Sequence, residues 1–260
     1  MRRPLAIVRL PVPGLQTGER TFVERSPIDY ELACDQHAGY RSALEALGFA
    51  VEVLPGGTGP DAVFVEDPLL VLDEVVVALS PGAVSRRDEV AALGAELDRL
   101  GALGARPREV IDLPATIEGG DVLCVDDLLL VGQSARTNHA GLKRLAHVLL
   151  PYGYRIKAAA VEGCLHLKTA CTYLGRDLLL ANPDWIDLHR APADAFRVHP
   201  EEPFGANVIV LGQKVLMSAA HPRTAERISA RGFDVTLVEL SEFEKAEAGP
   251  TCLSLRTLVD

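Results

Sequence analysis

Long apolar runs are missing from this 260-residue sequence. None approaches the ~20 residues that a membrane-spanning helix requires, so a soluble chain is expected. Paired cysteines are missing too. Cys34, Cys124, Cys164, Cys171 and Cys252 are odd in number and scattered, with no Cys-x-x-Cys pair. Neither a disulfide framework nor structural zinc fits that spacing, and a reducing compartment, the cytoplasm, is expected. There is no His-Glu-x-x-His, and the histidines are dispersed, so no metal and no cofactor is implied. The glycine-rich stretch 56–59 lacks the lysine of a phosphate-binding loop and reads as a turn or lid. Arg9, Pro11 and Pro13 interrupt the N-terminal apolar stretch before a signal-peptide core forms. Positive charge is scarce: 26 Lys and Arg against 36 Asp and Glu leave a net charge of −10. Such a field repels nucleic acid and anionic membrane and favours a small cationic partner. A homodimer is compatible with this reading.

The residues that are present, 48% hydrophobic and 24% charged, have the balance of an ordinary globular protein. The length suits one domain over 1–260, or a closed ring of repeats. One order recurs along the chain: a strand hairpin, a helix with apolar residues at helical spacing, then a single strand. Residues 62–80, 86–101 and 108–113 form one such unit, and 115–134, 138–153 and 154–161 a second. In a third, 164–182 reads as a hairpin, but Pro183 and Pro192 weaken the helix expected near 184–196. Residues 206–219, 222–232 and 233–240 make a fourth, with Pro222 suited to a helix start and Gly232 to its end. The last needs both termini: strands 252–259 and 5–10, helix 30–48 and strand 49–54. Five ββαβ units, one assembled from both chain ends, imply an α/β ring with pseudo-fivefold symmetry.

Chemistry-bearing side chains recur at equivalent places, read as on or just after each unit's first strand: Glu66 and Asp67, then Glu118, His166 and Cys252. Equivalent positions in a ring converge on its axis. A cysteine, a histidine and an orienting carboxylate are the parts of thiolate catalysis, and further carboxylates suit a cationic ligand. Taken singly, Cys252 reads as a core thiol, His166 as a core histidine on a strand, and Glu118 as a residue ending a strand before a Gly-Gly turn.

The motifs FVED (64–67), SRR (85–87), EGGD (118–121), RTN (136–138), HLK (166–168) and TCLS (251–254) together resemble the dimethylarginine dimethylaminohydrolase family. The resemblance covers most of the chain. It implies a five-bladed α/β propeller around a central active site, with Cys252 as nucleophile, His166 as general acid and base, and Glu118 as the histidine's partner. It makes Glu66 and Asp67 guanidinium holders and sets Phe64 along the substrate. Arg86 and Arg136 become clamps for the substrate carboxylate, Asp61 the partner of its ammonium, and Leu15 part of a lid over 11–20. Asp121 has no assigned role, and Glu247 only loosely matches an acidic substrate contact. The implied reaction converts a methylated arginine to citrulline and dimethylamine or methylamine. Deimination of free arginine or another guanidine, and guanidinium binding without turnover, are the alternatives.

Overall fold

The computed structural model describes residues 2–125 and 128–259, and of Arg190 the backbone alone. Residues 126–127, within the hairpin expected over 115–134, lie outside the described residues. Among the described residues five three-stranded sheets share one topology, an antiparallel hairpin whose second strand is joined in parallel by a third. They comprise β3 (Leu69–Val71), β4 (Val76–Ala78) and β5 (Arg108–Val110); β6 (Val122–Val125), β7 (Leu128–Gln133) and β8 (Arg155–Ala160); β9 (Cys171–Gly175), β10 (Leu178–Ala181) and β11 (Asp194–Arg197); and β12 (Val208–Leu211), β13 (Lys214–Ser218) and β14 (Asp234–Val238). The remaining sheet takes β15 (Ser254–Val259) from the C-terminus and β1 (Arg3–Arg9) with β2 (Ala50–Leu54) from the N-terminus, with Ile7 opposite Leu255.

Four units carry a helix between the hairpin and the parallel strand, as a parallel crossover demands. These are α1 (Tyr30–Leu47), α2 (Arg87–Arg99), α3 (His139–Leu149) and α5 (Pro222–Ser229). Local chemistry sets their ends: the Asp29 and Asn138 side chains accept from the N–H of Leu32 and Gly141 as N-caps, and Gly48 ends α1 at φ 123°. The unit with β9 has no such helix. Among the described residues its connection contains a 3-10 turn at Leu188–Arg190 between Pro183 and Pro192, and β11 begins inside the segment expected to be helical. Proline removes the amide and obstructs the turn that a helix there would need.

The core divides into five apolar clusters, and each joins two sheets that follow one another. Ile7 and Leu255 pack with Leu69 and Val76; Leu70 and Val77 with Val122 and Leu129; Leu123 and Leu130 with Cys171 and Leu179; Leu174 and Leu180 with Val208 and Val215. The last cluster sets Ile209 and Leu216 against Ala6 and Val8, returning from the final sheet to the one that holds both termini. No helix among the described residues is long and apolar enough to cross a membrane.

Candidate active site

The reactive side chains sit in the turns just before the first strands, not on or after them. Asp67 precedes β3, Glu118 precedes β6, and Cys252 lies in a 3-10 turn, Pro250–Leu253, that leads into β15. His166 is not on a strand. It occupies the N-cap position of a one-turn helix, α4 (Leu167–Ala170), that precedes β9. Turns free a side chain from the alternating directions of a strand, so all four can point the same way.

A small pocket is lined by Cys252, His166, Glu118, Asp67, Asp61, Phe64, Arg86 and Arg136, together with Glu19, Leu165 and residues 246–248. His166 Nε2 and Glu118 Oε2 are 2.7 Å apart in a buried pair. Arg136 Nη1 stands 3.9 Å from the other Glu118 oxygen, which also accepts the Gly82 N–H at 3.0 Å. Burial alone would lower the His166 pKa, but Asp67, Glu118 and Asp121 outweigh it and raise it to about 9. Burial would raise Glu118, but the hydrogen bond and charge of His166, with Arg86 and Arg136, hold it well below the usual carboxylate range. For Cys252, burial first, then Glu66 and Asp67, push the thiol up to about 12. His166 is therefore an imidazolium paired with the Glu118 carboxylate, beside a neutral Cys252 thiol.

Two glycines make this geometry feasible. A Cβ on Gly120 would lie 2.7 Å from the His166 ring, and one on Gly119 would lie 2.0 Å from the Glu66 carbonyl oxygen. The close backbone approach expected of the EGGD turn is therefore present. Asp121 closes the arrangement from below: fully buried, it accepts the Leu167 N–H at 2.8 Å and the Ser134 hydroxyl at 2.6 Å, fixing the turn that begins at His166.

Arg86 is buried, with its guanidinium on Asp67 (2.5 Å), Glu89 (2.8 Å) and the Phe64 carbonyl (2.8 Å). It thus orients Asp67, whose other oxygen accepts the Gly120 N–H at 3.1 Å. Arg136 donates to the Thr21 hydroxyl at 3.1 Å, and Asp61 accepts the Glu19 N–H at 2.9 Å. Asp67, Glu118 and His166 bring one possible metal-ligand atom each within 4.8 Å of one another. Those atoms already engage one another, Arg86 and Gly120, an arrangement suited to holding a proton and a cationic ligand.

Two expected site residues lie elsewhere. Glu66 does not line this pocket; it accepts Lys168 (2.8 Å), Arg256 (2.7 Å) and the Thr251 hydroxyl (2.8 Å) and borders a separate cavity. Burial opposes its charge, but the two cations prevail and lower its pKa. A carboxylate so matched has no free edge for a guanidinium, and it is the side chain that follows in sequence, Asp67, that lines the pocket. Leu15 is 1% exposed and packs in the apolar cluster beneath α1, so its side chain is core and not lid surface. Lys168, Thr251, Arg256 and Asn207 were not singled out from sequence. Asn207 immediately precedes β12, the fifth equivalent of the reactive turns, and exchanges two hydrogen bonds with Thr251 at 3.0 and 3.2 Å, beside Cys252. The repeat position was the signal that could have found it. Of the other cysteines, Cys164 and Cys171 are buried and Cys124 is exposed.

A half-buried cysteine, a histidine paired with a glutamate and a further carboxylate line one pocket on five repeated sheets, the residue types of a thiol-dependent site for a cationic group. A family model described as arginine deiminase matches residues 106–202. An N(G),N(G)-dimethylarginine dimethylaminohydrolase of Streptomyces coelicolor is 41% identical over 96% of both chains. One of Pseudomonas aeruginosa is 34% identical over 96% of this chain and 98% of its own. The crystal structure of a cysteine-to-serine variant of the Pseudomonas enzyme, complexed with citrulline, superposes with a TM-score of 0.90, at 33% identity over 99% of this chain and 100% of its own. The chain belongs to the dimethylarginine dimethylaminohydrolase family.

Proposed function

We propose that this chain hydrolyses the guanidinium of a methylated arginine, releasing citrulline and dimethylamine or methylamine. The observation that carries the reading is the pocket that joins Cys252, the His166–Glu118 pair and Asp67. Citrulline in the related Pseudomonas structure supports the product. The five core clusters, the last of which returns to the first sheet, support a five-bladed α/β propeller with the pocket near its axis. They equally support a single domain over 1–260. With a net charge of −10, a small cation suits this protein better than nucleic acid or anionic membrane, and its unpaired cysteines suit the cytoplasm.

The electrostatics assign the steps. A substrate guanidinium held by Asp67 and Glu118 places a further positive charge beside Cys252, so substrate binding lowers the thiol pKa and the thiol proton passes to solvent, leaving the thiolate. The thiolate adds to the guanidinium carbon. Collapse breaks the bond to the methylated nitrogen, which takes a proton from the His166 imidazolium as it leaves. The neutral imidazole then accepts a proton from water, whose oxygen adds to the thiouronium carbon. Expulsion of the Cys252 sulfur, with the hydroxyl proton returning to it, restores the thiol and yields the urea group of citrulline. Arg136 and Asp61 are assigned to the substrate carboxylate and ammonium, and Phe64 to its side chain; Arg86 acts through Asp67.

The test is a variant that separates the two halves of the reaction. In His166→Gly, Cys252 should still be alkylated, but steady-state turnover should nearly cease because no proton reaches the departing amine. Normal steady-state rates in that variant would remove His166 from the mechanism. Deimination of free arginine is the second reading, favoured by the arginine deiminase model over 106–202. Product analysis distinguishes ammonia from methylamines.

A further inference from the structure

The N-terminal segment reaches the pocket without belonging to any sheet or helix from residue 18 to residue 29. Glu19 lines the pocket, its N–H donates to Asp61 at 2.9 Å, and the Thr21 hydroxyl accepts from Arg136 at 3.1 Å. Backbone amides outside regular structure need other acceptors. Here one side chain provides them. The Glu247 carboxylate accepts the N–H of Thr21 at 2.6 Å, of Val23 at 2.8 Å, and of Phe22 between them. Three successive amides converging on one carboxylate make a cradle for negative charge, with charge-assisted bonds. Arg20 adds two more ties, from its guanidinium to the Lys245 carbonyl at 2.8 Å and to the Leu15 carbonyl at 3.2 Å.

Glu247 itself stands in the left-handed region at φ 60°, which a residue with a Cβ seldom adopts, so the surrounding loop holds it there. It lies five residues before Cys252, and it and its neighbours Ala246 and Ala248 line the same pocket. One carboxylate thus fastens the strap that bears on Arg136 and Asp61 to the loop that delivers the nucleophile.

We propose that Glu247 is a positioning residue: it latches residues 19–23 across the pocket and so sets the groups that hold the amino-acid end of the substrate. The proposal rests on the reading of this pocket as a methylarginine site and adds the part that closes it. Glu247 touches the strap and not the reacting atoms. Its loss therefore weakens binding of ground and transition states together, and it exposes Cys252.

The experiment compares full-length wild type, Glu247→Ala and Glu247→Gln in three readouts: kcat and KM for asymmetric dimethylarginine, alkylation of Cys252 by iodoacetamide, and hydrogen exchange at the amides of residues 21–23. In Glu247→Ala, KM should rise by at least about tenfold while kcat falls much less, the pattern expected when charge-assisted bonds used for binding are lost. Cys252 should be alkylated faster and the three amides should exchange faster. Glu247→Gln, which keeps one acceptor oxygen, should fall between. An unchanged KM with unchanged alkylation, or a loss confined to kcat, would overturn the proposal. Should Glu247→Ala fail to fold, fast exchange at residues 21–23 in the wild type would overturn it equally. Alkylation and exchange do not depend on which guanidine is turned over. A wild type inactive on methylated arginine would therefore remove the substrate assignment and leave the latch to be judged on those two readouts.

Discussion

Cys252 is a thiol at neutral pH, because burial and two carboxylates push its pKa up to about 12. Replacing it by serine removes both acidity and nucleophilicity, and turnover of Cys252→Ser should fall below about a hundredth of wild type with the fold intact. Retention of more than about a tenth, a loss under ~1.4 kcal/mol of transition-state stabilisation, would contradict the assignment. Glu66 gives the opposite kind of prediction. It balances Lys168 and Arg256 away from the substrate pocket, so Glu66→Ala leaves two cations without their shared partner. That should cost about 3 kcal/mol in denaturant unfolding. A raised KM with unchanged stability would instead return Glu66 to the guanidinium.

The His166–Glu118 pair also makes stability depend on pH. His166 is raised in the folded state from 6.5 to about 9, so its contribution is full below about 6.5 and is lost as pH rises through about 9. Glu118 is depressed, so its contribution is present above the ordinary carboxylate range and is lost as pH falls below it. Thermal unfolding of the wild type should therefore weaken between pH ~6 and ~10 more than that of His166→Gly. Equal slopes in the two proteins would show that the pair stores no such stability.

At the scale of the element, the turn that carries Glu118 is the most constrained piece of the site. Gly120 allows the backbone to pass under the His166 ring while its N–H holds Asp67. Gly120→Ala puts a methyl 2.7 Å from that ring. The imidazole must shift, and displacing the proposed general acid should lower kcat by roughly a hundredfold with a smaller change in KM. Near-normal kcat in a folded Gly120→Ala protein would mean that the ring has room the structure does not show. The turn before β15 is braced differently. The Tyr40 hydroxyl on α1 bonds the Pro250 carbonyl at 2.8 Å and the Ser254 hydroxyl at 2.7 Å, and Asn207 holds Thr251. Cys252 is thus set by residues more than 40 positions away in sequence.

For the whole molecule, the repeat was legible because it is written in local periodicities: alternating apolar residues in 206–219, helical spacing in 86–101, and prolines where the third helix fails. The pairing of the two chain ends followed from counting units, and β1 against β15 realises it. The site was legible as a set of positions, but not the direction each side chain takes. Glu66 and Asp67 are neighbours with the same chemistry, and their roles separate only through Lys168 and Arg256, which lie 102 and 190 residues from Glu66. No spacing encodes such a contact. His166 looked like a strand residue because leucines flank it, yet the buried Asp121 carboxylate draws the Leu167 amide into a turn. The Glu247 latch was illegible for the same reason, since its partners are backbone amides more than 220 positions away.

Substrate preference tests the central claim most directly. Steady-state kcat/KM should be measured for asymmetric dimethylarginine, monomethylarginine, arginine and agmatine, with citrulline and the released amine quantified. A methylated arginine should be the best substrate, by a ratio and not by complete exclusion of arginine, because burial of a methyl-sized group contributes only roughly 1–3 kcal/mol. Agmatine, which lacks the carboxylate assigned to Arg136, should be poor. A higher kcat/KM for arginine or agmatine than for either methylated arginine would contradict the account.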